Sequence, residues 1–90
     1  MNKEEFQDIL ANQLFVCRQE AKLTFPELSE LSNISVGTLH AIEHKKTIPS
    51  VYMIYKLAQV YQKDISHFFD VGKRSKSIEE KIRDKFEYLT

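Results

Sequence analysis

The 90-residue sequence predicts an all-α protein, with five short helices forming one domain over residues 1–70. Apolar residues recur at spacings of three and four through most of the chain, which is the period of one helix face. Ser, Thr, Asn or Asp stands just before these stretches, where its side chain can accept a hydrogen bond from the first turn. Ninety residues suffice for one small core, and a second independent domain is not expected.

The first helix is expected to begin at Lys3, with Asn2 as its cap and Glu5 placed to pair back to that cap. Its apolar stripe consists of Phe6, Leu10, Leu14, Cys17 and Ala21, widened by Ile9, Phe15 and Val16. The single cysteine has no partner for an internal disulfide, so it is interpreted as a small core residue. Arg18 and Lys22 near the end of the helix suit the helix dipole, and either could also reach a phosphate.

The stretch 24–43 predicts two short helices joined by a tight turn. Thr24 and Glu27 can form a capping box at the start of the first. Asn33 tolerates the left-handed backbone that ends a helix, and Ser35 can cap the second. The apolar residues expected to face one another are Leu28, Leu31, Ile34, Leu39 and Ile42.

A basic loop at 44–46 precedes the fourth helix. Pro49 bars continuation of the preceding helix, and Ser50 can cap the next one. The apolar stripe of this helix consists of Val51, Ile54, Leu57, Ala58 and Tyr61. Tyr52, Tyr55 and Tyr61 are interpreted as packing residues whose hydroxyl groups reach water.

A fifth short helix is predicted over residues 65–69 behind an Asp64 cap, with Phe68 and Phe69 closing the core. Residues 71–76 are rich in charge and include a glycine, so they are expected to form a linker.

A C-terminal helix is predicted over residues 77–90, where Ser77 and Glu80 match a capping box. Its apolar stripe consists of Ile78, Ile82, Phe86 and Leu89. An isolated helix of this length is marginal in water, so the stripe is expected either to pack on its own domain or to pair with a second copy in a homodimer.

Thirteen basic and thirteen acidic residues give zero net charge, which leaves only local patches for phosphate contact. No apolar run approaches a membrane span and the acidic start is unlike a signal peptide, so the chain is expected to be cytoplasmic.

No phosphate loop, activated nucleophile or carboxylate pair stands out, so neither an enzyme nor a cofactor is expected. His40, Glu43 and His44 lack an obvious further ligand and are interpreted as polar surface residues rather than a metal site.

Residues 23–69 resemble the helix-turn-helix domain of the Cro/C1-type (XRE) family of phage and bacterial regulators. The residues that carry the resemblance are Leu23-Thr24, Glu27-Leu28, Leu31, Ile34-Ser35, Thr38-Leu39, Ile42-Glu43, Lys46, Pro49-Ser50, Leu57-Ala58 and Ile65. Where the family often has Gly, this chain has Lys45 and Gln62. The resemblance implies a five-helix, lambda-repressor-like domain that binds double-stranded DNA as a transcriptional repressor, with helix 36–44 in the major groove.

In that family the second helix of the pair reads base edges, while the first directs its N-terminus at phosphate. Carried over position by position, the base-facing places are Val36, Gly37 and Ala41, flanked by Thr38 and His40. The phosphate-facing places are Thr24, Phe25, Ser35, His44, Lys45 and Lys46.

This sequence departs from the family at the base-reading positions. Val36, Gly37 and Ala41 offer no side-chain hydrogen bond, so they cannot make a bidentate contact with guanine or adenine. Contact with a thymine methyl remains open to Val36 and Ala41, and close backbone approach remains open to Gly37. We therefore predict modest specificity from Thr38, His40, methyl contacts and DNA shape. Contacts to the DNA backbone are expected from Lys45, Lys46 and Lys22.

Two functions of different classes remain open. The first is the DNA-binding regulator, acting as a homodimer on half-sites about one helical turn apart. The second is a protein-interaction module on the same fold, with weak or no DNA binding and a partner site at the apolar surface around Phe25 and Val36.

Overall fold

The computed structural model describes residues 1–69, so the predicted linker and C-terminal helix lie outside the described residues. The elements are α1 (Lys3–Glu20), α2 (Phe25–Ser32), α3 (Val36–Glu43), α4 (Val51–Tyr61) and a 3-10 helix (Ile65–Phe68). This part of the chain contains no strand, and the predicted all-α class is confirmed. The predicted fifth α-helix is instead a single 3-10 turn.

Local capping explains where α1 and α4 begin. Asn2 Oδ1 accepts a hydrogen bond from the Glu5 N–H at 2.8 Å, and Ser50 Oγ accepts one from the Met53 N–H at 3.1 Å. The predicted Asp64 cap is wrong, because its side chain makes no capping bond. In the 3-10 turn the N–H three residues later donates to the Asp64 backbone carbonyl at 2.9 Å, so the carboxylate is not needed there.

One core connects α1 to the other elements. It consists of Leu10, Leu14, Cys17, Leu28, Ile34, Leu39, Ile42, Ile54, Leu57, Ala58 and Phe68. Burial raises the pKa of the Cys17 thiol, which agrees with its interpretation as an unreactive core residue. Because α2 and α3 each bury one side in this core, their opposite sides face outward.

Several apolar residues expected inside lie outside. Phe15, Val16 and Leu31 are exposed, because each lies beyond the edge of the buried stripe of its helix. Ala21 and Phe69 are also exposed, since both follow the end of a helix. Periodicity therefore identified the core stripes but overestimated their width.

The outer side of α4 is more apolar than expected. Tyr52 and Tyr55 are exposed rather than packed, and so is Val51 at the start of the helix. Tyr61 is half-buried instead, and its hydroxyl has no hydrogen-bond partner within residues 1–69.

The turns that end α3 and α4 follow the family's glycine pattern. Lys45 and Gln62 have φ values of 62° and 56°, in the left-handed region that favours glycine. Each turn closes with a hydrogen bond from the N–H of the next residue back to a carbonyl of the helix, at 2.8 Å after α3 and 2.9 Å after α4. No helix within the described range is long and apolar enough to cross a membrane.

Candidate nucleic-acid interface

The start of α2 is closed by the predicted capping box. Thr24 Oγ1 accepts a hydrogen bond from the Glu27 N–H at 3.3 Å, while Glu27 Oε1 accepts from the Thr24 N–H at 3.0 Å and from its hydroxyl at 2.9 Å. These bonds lower the pKa of the Glu27 carboxyl. Since both donors of Thr24 already meet a carboxylate, this residue is a poorer phosphate ligand than its sequence position indicates.

The turn between α2 and α3 forms as predicted. Asn33 ends α2 with φ 59° and ψ 33°, and Ser35 Oγ accepts a hydrogen bond from the Thr38 N–H at 3.2 Å. The Ser35 hydroxyl also donates to Thr38 Oγ1 at 2.7 Å, which leaves the hydroxyl hydrogen of Thr38 available to another acceptor.

The outward side of α3 carries the predicted base-facing residues. Leu39 and Ile42 are buried, whereas Val36 is 42% exposed. Gly37 faces open space, with no atom within 4 Å of an added Cβ, and Ala41 is half-buried. Val36 and Gly37 are therefore open to solvent on the side of α3 that faces away from the core.

A row of three aromatic rings lies at the end of this surface. Phe25 and His40 have ring centroids 5.5 Å apart, and His40 stacks on His44 with centroids 3.8 Å apart and planes 12° from parallel. His44 Nδ1 lies 2.9 Å from the His40 carbonyl oxygen, so this nitrogen carries the hydrogen and Nε2 of a neutral ring is left as an acceptor. The row connects the opening of α2 with the end of α3, and sequence reasoning missed it.

Arg18 holds α1, α2 and α3 together. Its Nε and one terminal nitrogen donate to the two Glu43 carboxylate oxygens at 2.8 and 3.0 Å, and its other terminal nitrogen donates to the Leu23 carbonyl at 3.0 Å. The guanidinium carbon also lies 4.1 Å from the Phe25 ring centroid. The hydrogen bond to Glu43 raises the pKa of Arg18, so the arginine stays charged.

This ion pair corrects one expectation. Arg18 is not available to a phosphate, because its side chain is only 12% exposed and that of Glu43 only 6%. Because both oxygens of its carboxylate accept hydrogen bonds from Arg18, Glu43 does not join His40 and His44 as a metal ligand. Both charged side chains act here in holding the helices together.

The loop after α3 presents the lysines of the candidate interface. Lys45 Nζ lies 3.2 Å from Asp8 Oδ1, and its backbone carbonyl accepts a hydrogen bond from the Gln7 side chain at 2.8 Å. Lys46 is exposed and forms no ion pair with any residue of the described range. The loop is therefore tied to α1, and Lys46 is its more available cation.

The two short helices, the left-handed turn at Asn33 and the outward side of α3 define the class of helix-turn-helix domains. The chain belongs to the helix-turn-helix family HTH_3, the Cro/C1-type group, whose family model matches residues 17–68. This finding confirms the resemblance drawn from the sequence.

A solved structure with the same fold is that of an HTH_3 family transcriptional regulator from Vibrio cholerae. It is similar to this chain at 26% identity with a TM-score of 0.70, over 76% of this chain and 38% of the other. The chain therefore spans well under half the length of that regulator. No curated protein matches the sequence.

Proposed function

We propose that the chain is a sequence-specific, DNA-binding transcriptional regulator that places residues 36–44 in the major groove. The observation that carries this proposal is the outward side of α3, where Val36 is exposed and Gly37 faces open space. A duplex needs this side free, since the groove admits a helix only when the core is on the helix's other side. The family match and the similar regulator support the same general function.

Base readout then depends on few polar groups. Val36 and Ala41 contact thymine methyl groups, and Gly37 lets the helix backbone come close to the base edges. Thr38 has a free hydroxyl hydrogen, and His40 is held by the ring row, so these two supply the hydrogen bonds. Much of the specificity therefore comes from DNA shape rather than from bidentate contacts.

Contact with the phosphate backbone of DNA comes mainly from the loop after α3. Lys46 has no competing carboxylate within the described chain, whereas Lys45 must give up or share Asp8 to reach a phosphate. The hydroxyl and N–H of Thr24 are engaged by Glu27, so α2 contributes less than in a helix with free N-terminal donors. Phosphate contact is thus concentrated at one end of α3.

We further propose that the regulator represses transcription in the cytoplasm as a homodimer joined through the predicted C-terminal stripe Ile78, Ile82, Phe86 and Leu89. A dimer sets two copies of α3 about one helical turn apart, and its occupancy of the groove excludes other proteins from the same site. The resemblance to Cro/C1-type regulators supports this mode of action.

A second candidate function is a protein-interaction module on the same fold. It is favoured by zero net charge and by the absence of side-chain hydrogen-bonding groups at Val36, Gly37 and Ala41. Phosphate contacts are strongest at low salt, so a mobility shift on random DNA at low ionic strength separates the two functions. Absence of any shift there would favour the interaction module.

The proposed placement of α3 in the major groove is tested with the variant Val36→Glu. A carboxylate on this side of α3 would face the negative duplex, so DNA affinity is expected to fall at least tenfold. Val16→Glu is the matched control, because Val16 on α1 is 41% exposed against 42% for Val36. Equal loss of affinity in both variants would contradict the placement of α3, and circular dichroism checks that both remain folded.

A further inference from the structure

The outer side of the domain carries large apolar side chains that the core and the proposed DNA surface leave unused. We call the set of Leu31, Val51, Tyr52 and Tyr55 the α4 face. Their exposures are 61%, 66%, 67% and 47%, in that order. Leu31 and Tyr52 also line a groove of about 500 Å³ between α2 and α4. Within residues 1–69 nothing covers these side chains.

Polar groups beside the α4 face are already paired. Lys56 Nζ donates to the Asn33 carbonyl at 3.2 Å and lies 5.1 Å from the Tyr52 ring centroid. Gln59 Nε2 donates to the Tyr55 hydroxyl at 2.8 Å. One donor of each side chain is thus engaged within the domain, while the four side chains of the α4 face offer mainly apolar area, which suits an apolar occupant.

The exposed area is large for a chain of this size. A tyrosine buries about 150–250 Å² when fully covered, so the four side chains expose on the order of 400 Å² together. That value is comparable to the largest apolar patch of a typical monomer, which is about 300–600 Å² and is often an interaction site.

The same sequence supplies a segment of matching size and chemistry. The stripe Ile78, Ile82, Phe86 and Leu89 spans 12 residues, about 18 Å as a helix, against about 16 Å for the 11 residues of α4. An amphipathic helix of this length is marginal alone, so the helix predicted there needs an apolar surface of the kind that the α4 face provides.

We propose that the apolar stripe at 78–89 of one copy packs on the α4 face of a second copy, in a reciprocal exchange. This inference rests on the homodimer proposed above and names its second surface. Each contact would bury about 800 Å², and two equivalent contacts reach about 1,600 Å², the usual size of a specific interface. One contact within a single chain would reach only half that area.

The first test measures the mass of the full chain in solution without DNA, by sedimentation equilibrium. The wild type is expected to be a dimer, and Tyr52→Glu and Phe86→Glu are each expected to shift it to monomer. Val16→Glu, which adds the same charge at an exposed site on α1, should remain dimeric. A monomeric wild type, or a Tyr52→Glu variant that stays dimeric, would overturn the proposal.

The second test locates the contact by disulfide formation in a Cys17→Ala background. Two copies of different length are mixed, one with Tyr52→Cys and the other with Phe86→Cys, and oxidation is expected to give the mixed dimer. Gln19→Cys replaces Tyr52→Cys as the control and should not cross-link. If one chain carrying both cysteines closes on itself and mixed copies do not link, the stripe packs on its own domain and the exchange is wrong.

These results are independent of DNA binding. Failure of the exchange leaves the low-salt mobility shift of the wild type unchanged, whereas failure of the regulator proposal abolishes that shift while the dimer persists. Phe86→Glu is expected to keep weak binding to random DNA and to lose at least tenfold in affinity on a selected two-half-site operator, because the second half-site no longer contributes.

Discussion

At the scale of single residues, Arg18 joins three parts of the domain through its guanidinium group. Its guanidinium contacts the end of α3 through Glu43, the chain before α2 through Leu23, and the Phe25 ring. Sequence spacing places Arg18 near the end of a helix, where solvent or phosphate is the usual partner. Because Glu43 lies 25 residues further on, the pairing depends on the tertiary fold.

Loss of the arginine should be costly. Arg18→Met leaves the Glu43 carboxylate without its partner in a site where that side chain is 6% exposed, so the free energy of unfolding is expected to fall by about 3 kcal/mol. Urea denaturation measures the change. Adding Glu43→Leu to Arg18→Met should restore most of the loss, since the uncompensated charge is removed. An additive double variant would contradict this account of the pair.

A second residue-scale prediction concerns acid stability. Hydrogen bonds from Thr24 hold the pKa of Glu27 below its ordinary value of 4.5, so the folded state binds the proton less readily than the unfolded state. The resulting stabilisation is present above that ordinary value and is lost as pH falls through the lower pKa of the folded state.

The check measures the midpoint of urea denaturation as a function of pH for the wild type and for Glu27→Gln. The variant is expected to show a shallower fall below about pH 5, since it has no carboxyl to protonate there. Glu30→Gln on the same helix is the control, because Glu30 accepts no hydrogen bond within residues 1–69, and its curve should follow the wild type. Parallel curves for all three proteins would contradict the role of Glu27.

At the scale of helices, local chemistry was sufficient to predict where most elements begin and end. The caps at Asn2, Ser35 and Ser50 and the turn at Asn33 involve residues within a few positions of one another, so the sequence contains both partners. Asp64 does not act as a side-chain cap, because the His67 N–H donates to the Asp64 backbone carbonyl instead.

Packing direction was harder to predict than helix position. Apolar spacing shows which residues share a face, but the width of the buried part depends on which neighbour covers it. Leu31 and Tyr52 therefore lie outside although both fit a helical pattern. The outward positions of Val36 and Gly37 were predicted by resemblance. The spacing of four between His40 and His44 is that of neighbours on a helix, whereas the contact of Phe25 with His40 joins separate helices and has no signal in the sequence.

The turn at the end of α4 yields a prediction at this scale. Gln62 has a φ of 56°, which costs a residue with a Cβ about 1 kcal/mol or more. Gln62→Gly is therefore expected to raise the free energy of unfolding by up to about 1 kcal/mol, after the entropy cost of glycine is subtracted. Thermal and urea unfolding measure the gain.

Gln59→Gly provides the comparison within the same helix. Gln59 has helical backbone, so the identical substitution there should lower the free energy of unfolding by about 1 kcal/mol. Opposite signs at the two positions would support the strained turn, and equal losses would show that Gln62 carries no backbone strain.

At the scale of the whole molecule, zero net charge makes DNA affinity depend on where the cations lie rather than on how many there are. Lys46 is expected to contact one phosphate. Lys46→Gln should therefore reduce the slope of log affinity against log salt by about 0.9 and weaken binding equally on selected and random sequences.

Lys63→Gln is the control for this measurement. Lys63 is exposed but follows α4, away from the loop after α3, so its removal should leave the salt slope unchanged. If Lys46→Gln instead altered which sequence is preferred, Lys46 would be a base-reading residue and the assignment of phosphate grip to this loop would be wrong.

The space around Gly37 has a consequence for evolution and engineering. A glycine inside a helix costs about 0.5–1 kcal/mol relative to alanine, and here no neighbour lies within 4 Å of an added Cβ. Gln or Arg at this site would therefore gain helix stability and, in the proposed groove placement, would supply a donor for a purine base. The scaffold can therefore acquire a new binding site preference by a single substitution, without repacking any of its interior.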